Sequence, residues 1–130
     1  MIKDIQFPEV ADILMTVVKE ADEEWKVYII NRSKEKIENV MVTSNGFGDK
    51  KGESQKTSTL RHMIPHIEPG EFALIEPIES EVFHLNNQYW VSFFVGKQLF
   101  DKKYIFVPDS IVEENLSFIE ELKLSGVMHP

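Results

Sequence analysis

Short runs of β-branched and aromatic residues, each closed by a turn signal, recur along this chain at intervals of about 8 to 14 residues. That pattern leaves little room for long helices. Trp25-Lys-Val-Tyr-Ile-Ile-Asn31 is typical, with Trp25, Val27 and Ile29 on one face and Lys26, Tyr28 and Ile30 on the other. Val10 to Glu20 is equally rich in branched residues and reads as a strand, although its first half also fits a helical period. Ile37 to Thr43 sets Val40 and Val42 against Met41 and Thr43, and closes at Asn45-Gly46, residues that tolerate positive φ. Leu60 to Ile67 contains Pro65, which cannot donate to a ladder and so suits an edge strand or a bulge.

The second half repeats the theme. Glu68-Pro69-Gly70-Glu71 is a turn, because proline sets φ at the first central position and glycine supplies positive φ at the second. Phe72 to Ile78 follows as a strand, and Gln88 to Val95 returns through Gly96-Lys97-Gln98 into Leu99 to Val107 as a hairpin. Asp101, Lys102 and Lys103 interrupt the returning strand and suggest a bulge or exposed corner. About seven such runs predict an all-β fold, an immunoglobulin-like antiparallel β-sandwich. A different signal closes the chain: Ser110-Ile-Val-Glu113 has capping-box spacing, Leu116, Ile119 and Leu122 recur at helical spacing, and Gly126 fits a stop. These predict a short helix at about 110–124, with Glu113, Glu114, Glu120 and Glu121 on its solvated side. No repeat or linker divides the sequence, so residues 1–130 are expected to form one domain.

Composition narrows the function. Residues 1 to 65 carry ten Lys/Arg against eleven Asp/Glu, whereas residues 66 to 130 carry four against eleven, so almost all of the net charge of −8 lies in the second half. A phosphate backbone needs a positive field to displace its counterions, which argues against general nucleic-acid binding. Cysteine is absent, which removes disulfides, thiolate ligands and cysteine nucleophiles. No run approaches the roughly 20 apolar residues of a membrane span, and the first residues lack the apolar segment of a signal peptide. A soluble cytoplasmic protein with no membrane partner is expected, and the sequons at Asn31 and Asn115 read as chance matches.

Asn45 to His62 is the stretch least like scaffold, being glycine-rich, hydroxyl-rich and locally basic. A long loop is expected at 45–59, and loops of that length tend to be functional or mobile. It is not a P-loop: Lys56-Thr57 lacks the glycine that must precede the lysine, and no helical pattern follows. His62 and His66 share one side of an extended chain but have no third ligand nearby, so no metal site is expected. Ser58 or Thr57 with His62 could suggest a nucleophile and base, but no nucleophile elbow or orienting acid accompanies them. Trp90, Phe93, Phe94 and Phe100 read as core rather than as a stacking platform.

Lys56-Thr57-Ser58-Thr59-Leu60-Arg61-His62, after a strand ending in Thr43-Ser44-Asn45-Gly46, resembles a family of short uncharacterised bacterial proteins often labelled phenylalanyl-tRNA synthetase α-subunit. The strand Trp25 to Asn31, the phrase Leu99 to Phe106 and the closing Gly126-Val127 are similar as well, so the likeness spans most of the chain. Neither arginine-bearing motif of a class II synthetase occurs in this sequence. The resemblance therefore implies a small stand-alone family without assigned catalytic residues. A non-catalytic binding or assembly module is expected, with a protein partner or a second copy as its target and no cofactor. The alternative is a small-anion or nucleotide site built from Lys56, Thr57, Ser58, Arg61 and His62.

Overall fold

The computed structural model describes residues 12–130 as ten β-strands and two single 3₁₀ turns, with no α-helix among them. One sheet holds β1 (Ile13–Ala21), β2 (Glu24–Asn31), β6 (Phe72–Ile78), β9 (Ser117–Ile119) and β10 (Leu124–His129), in the order β6-β2-β1-β10-β9. The other holds β3 (Ile37–Lys50), β4 (Glu53–Lys56), β5 (Leu60–Ile67), β7 (Asn86–Val95) and β8 (Gln98–Phe106). There β3 carries β7 and then β8 along one side, and its other side is shared by β5 and β4. Every strand pair is antiparallel.

Alternation explains how the sheets meet. Ile13, Met15, Val17, Trp25, Val27 and Ile29 from the first sheet join Val40, Val42, Tyr89, Val91, Phe93 and Tyr104 from the second in one buried cluster. The sheets share this core, and the Tyr104 hydroxyl ties them by donating to the Ile13 carbonyl. On the far face of the first sheet, Leu14, Ile30 and Ile119 form a smaller cluster with Leu122 and Met128 against it. Asn31, fully buried, secures two of the crossings between sheets, β2 to β3 and β5 to β6: its amide donates to the Glu35 and Ile67 carbonyls at 2.9 and 3.0 Å, and its backbone N–H to the Glu71 carbonyl. The expected Pro69-Gly70 turn forms beside it, with Gly70 at φ 81°.

Four expectations about the elements change. The helix expected at 110–124 is instead a 3₁₀ turn at Glu113–Asn115, the strand β9, a turn and the start of β10. Helical spacing of three apolar residues could not outweigh the open edge of β1, which β10 fills from Val18↔Gly126 to Met15↔His129. The Ser110 hydroxyl donates to the Val107 carbonyl rather than capping a helix. The loop expected at 45–59 is mostly a hairpin, since β3 runs on to Lys50 and β4 returns from Glu53, leaving 57–59 irregular. No bulge occurs at Asp101 to Lys103, where β7 and β8 pair without a register shift. Of the run Val10 to Glu20, the described part begins β1, and Val10 lies outside the described residues. The β5 strand, by contrast, lies along the border of its sheet as Pro65 suggested.

Gly126 is the position where glycine is required by contact rather than as a helix stop. A Cβ there would lie 2.5 Å from Thr16 Oγ1 and 2.7 Å from Val18 Cγ1. Gly126→Ala is expected to cost about 1–3 kcal/mol of stability through overpacking, measured as a fall in the denaturant midpoint at unchanged slope. All three tyrosines, Tyr28, Tyr89 and Tyr104, have phenol pKa values raised, chiefly by burial. A group whose folded pKa is raised stabilises fully below its unfolded pKa and loses that contribution as pH climbs above it. Stability is therefore expected to decline once pH passes about 10, the ordinary tyrosine value, with phenolate absorbance appearing together with loss of structure.

Candidate functional site

The segment from Lys56 to His62 lies where β4 ends and β5 begins along one side of β3, and strand alternation divides its residues. Val42, Ser44 and Gly46 of β3 are buried on the inner face, so Met41, Thr43 and Phe47 face outward. Lys56 stands opposite Phe47 and Arg61 opposite Thr43, which places both cations on the outer face of the sheet. His62 stands opposite Val42 and faces inward. Thr57 and Ser58 occupy the irregular step between the strands and line a cleft. The five residues expected to form one anion site thus fall in three places and do not converge. His66 is exposed and lies 3.9 Å from Glu68, so the two histidines have separate partners.

The cleft has a volume of about 220 Å³ and opens where β3 and the 57–60 segment face the end of β6. Its geometry begins with a bulge. Val27 pairs with Glu76 but Tyr28 pairs with Leu74, so Ile75 is the extra residue in β6. Without it, alternation from Ala73 would send Glu76 outward; with it, both Ile75 and Glu76 turn toward the interior, beside Ile78. A carboxylate placed there needs donors, because burying an unpaired charge is costly.

Three side chains on the inner face of the opposite sheet supply them. Ser44 Oγ donates to Glu76 Oε1 at 2.9 Å, the His62 Nε2 lies 2.7 Å from the same oxygen, and the Tyr89 hydroxyl donates to Oε2 at 3.2 Å. Ser44 and Tyr89 are themselves buried, at 4% and 2% exposure. Glu76 therefore joins three strands of one sheet to the last strand of the other. Burial first, then the nearby Glu76 charge, drives the Tyr89 phenol well above its ordinary pKa, so it remains a donor throughout the neutral range. The order differs from a Ser-His-Asp triad: the carboxylate rather than the histidine stands at the centre, and the Ser44 hydroxyl donates to Glu76.

Thr57 closes the adjoining wall. Its hydroxyl accepts from the Gly46 N–H at 2.7 Å and donates to the Ser58 carbonyl, while its own N–H donates to the Gly46 carbonyl at 2.9 Å. A Cβ at Gly46 would stand 3.0 Å from the Thr57 methyl, so glycine permits this close approach. Among the described residues no group of three His, Asp or Glu side chains is placed to hold a metal ion.

The outer face of the same sheet is a second surface. Met41, Met63, Phe47, Trp90 and Leu99 all lie on it at 36–66% exposure. The row Arg61–Thr43–Trp90–Lys103 crosses its middle, and Lys103 Nζ sits 4.9 Å from the Trp90 ring centre. Phe93 and Phe100 do stack in the core as expected, 5.8 Å apart, but Trp90 alternates to the exposed side.

Sequence reasoning missed Ser44, Glu76 and Tyr89. A usable signal existed for Glu76, which is the single carboxylate within the apolar run Phe72 to Ile78. Glu76→Ala would leave Ser44, His62 and Tyr89 without their acceptor and is expected to cost about 1–3 kcal/mol, read from denaturant unfolding. Lys103→Ala, on the exposed face, should stay within about 0.5 kcal/mol of the parent. Searches against family models, curated proteins and solved structures found no match to this chain.

Proposed function

We propose that this protein is a non-catalytic binding module that docks a protein partner on the outer face of the β5-β3-β7-β8 sheet. The observation that carries this reading is the composition of that face. The outer side of a two-sheet fold is ordinarily polar, yet here five large apolar side chains are exposed on one face. Arg61, Lys103 and Lys56 stand among them, on a chain whose net charge is −8. An apolar, tryptophan-centred patch with cations around it has the make-up of a protein-binding hot spot and favours a partner that presents acidic residues. Asp101, opposite Ser92, and Glu38, opposite Phe94, are acids at the patch's border.

The strand order supports an immunoglobulin-like sandwich as the scaffold. β1, β2 and β6 correspond in order to the A, B and E strands, and β3, β7 and β8 to C, F and G, with β5 beside β3 and the β9–β10 hairpin added beside β1. The chain has no helix long and apolar enough to cross a membrane among the described residues.

A photo-reactive residue placed at Met63 tests the docking face. Cross-links to one acidic partner that weaken with added salt and disappear in a Trp90→Ala, Arg61→Ala double variant of unchanged Tm are the expected result. Cross-linking that persists undiminished in the double variant would contradict the proposal, and cross-links to a second copy of the chain would identify the partner as itself.

A further inference from the structure

We propose that the cleft beside Glu76 is a second binding site, on the opposite side of the sheet from the docking face, and that it takes a small alkylammonium group. Three observations combine. The first is the space itself: the inner face at this end carries Gly46, Ser44 and Asn87 where core side chains would otherwise fill the gap between the sheets, and a cleft of about 220 Å³ results. That is smaller than the roughly 300–1,000 Å³ of drug-sized pockets, so its ligand is small.

The second observation is the valence of Glu76. A carboxylate offers about four acceptor positions, and Ser44, His62 and Tyr89 occupy three of them. The remaining position belongs to Oε2, which among the described residues accepts only from Tyr89, and Glu76 lines the cleft. A donor entering the cleft completes the set.

The third is the chemistry of the wall. Glu79 and Glu81 line the cleft with Glu76, and among the described residues its lining contains no lysine or arginine. The field there is negative, so an anion is disfavoured and a cation is attracted. Leu60, Pro77, Ile78 and Val82 make the apolar part of the lining and fit a short hydrocarbon stem. An ammonium directed at Glu76 with its stem against Leu60 and Val82 satisfies all three observations.

Butylammonium and 1,4-diaminobutane are the probes, titrated at physiological ionic strength so that diffuse attraction to an acidic protein is screened. Tetramethylammonium, which cannot donate, and inorganic phosphate are the comparison ions. Saturable binding of the two amines, seen as a rise in Tm and as amide shifts confined to residues 44–46, 57–60 and 76–82, is the expected result. Because Glu76 also supports the fold, the deciding variant is Glu79→Gln with Glu81→Gln, both exposed and outside the hydrogen-bonded cluster. That variant should bind about tenfold more weakly, and Lys97→Ala, in the exposed turn between β7 and β8, should bind as the parent does. Equal response to tetramethylammonium, preference for phosphate, absence of saturable amine binding, or unchanged affinity in the double variant would each overturn the assignment.

Discussion

Side chains on a β-strand alternate between its two faces, and β3 extends that constraint across a strand of fourteen residues that serves three neighbours. Its inward set, Val40, Val42, Ser44 and Gly46, passes from full core to a small polar end within one strand. Its outward set, Met41, Thr43 and Phe47, builds the middle of the exposed face. Because β4 and β5 pair with the same side of β3, they inherit its alternation residue by residue. Both candidate surfaces are therefore consequences of one register. A single-residue slip of β5 would exchange Arg61 for His62 and abolish both.

The polar end of the core shows how local backbone irregularity creates chemistry. A regular β6 would bury apolar residues at alternate positions and expose Glu76. The extra residue Ile75 reverses the phase, and the carboxylate turns toward Ser44 and Tyr89. A comparable device operates in β3, where Asn39 at φ 50° absorbs a register shift between Glu38 and Met41 against β7 and lets both Ile37 and Val40 face the core. Such bulges cost ladder hydrogen bonds, and at β6 the return is a charged group held by three donors between the sheets.

The sequence made the all-β character plain, because period-two alternation in β2, β3, β7 and β8 and the Pro69-Gly70 turn are local signals. The closing segment was not legible: Leu116, Ile119 and Leu122 satisfy a helical period, and only the availability of β1 as a long-range partner decides for strands. Asn31 illustrates the same limit, since its sequon is visible locally while its burial by Glu35 and Ile67 is not. At the site, Thr57 and Ser58, expected as anion ligands, line a cleft, and His62, expected beside them, contacts Glu76. Their separation from Lys56 and Arg61 depends on pairing with β3, which composition cannot reveal. The docking and amine-binding proposals accordingly rest on faces and on the Glu76 cluster rather than on a motif.

The absence of cysteine makes the central claim, that β5 divides its residues between two surfaces, directly measurable. Single cysteines placed at Arg61, His62, Met63 and Ile64 can each be labelled with a thiol reagent in the otherwise thiol-free protein. The account predicts alternation, with rapid labelling at 61 and 63, where the side chains are exposed, and slow labelling at 62 and 64, which pack inward. Comparable rates at all four positions, or the opposite phase, would contradict the register on which both surfaces depend.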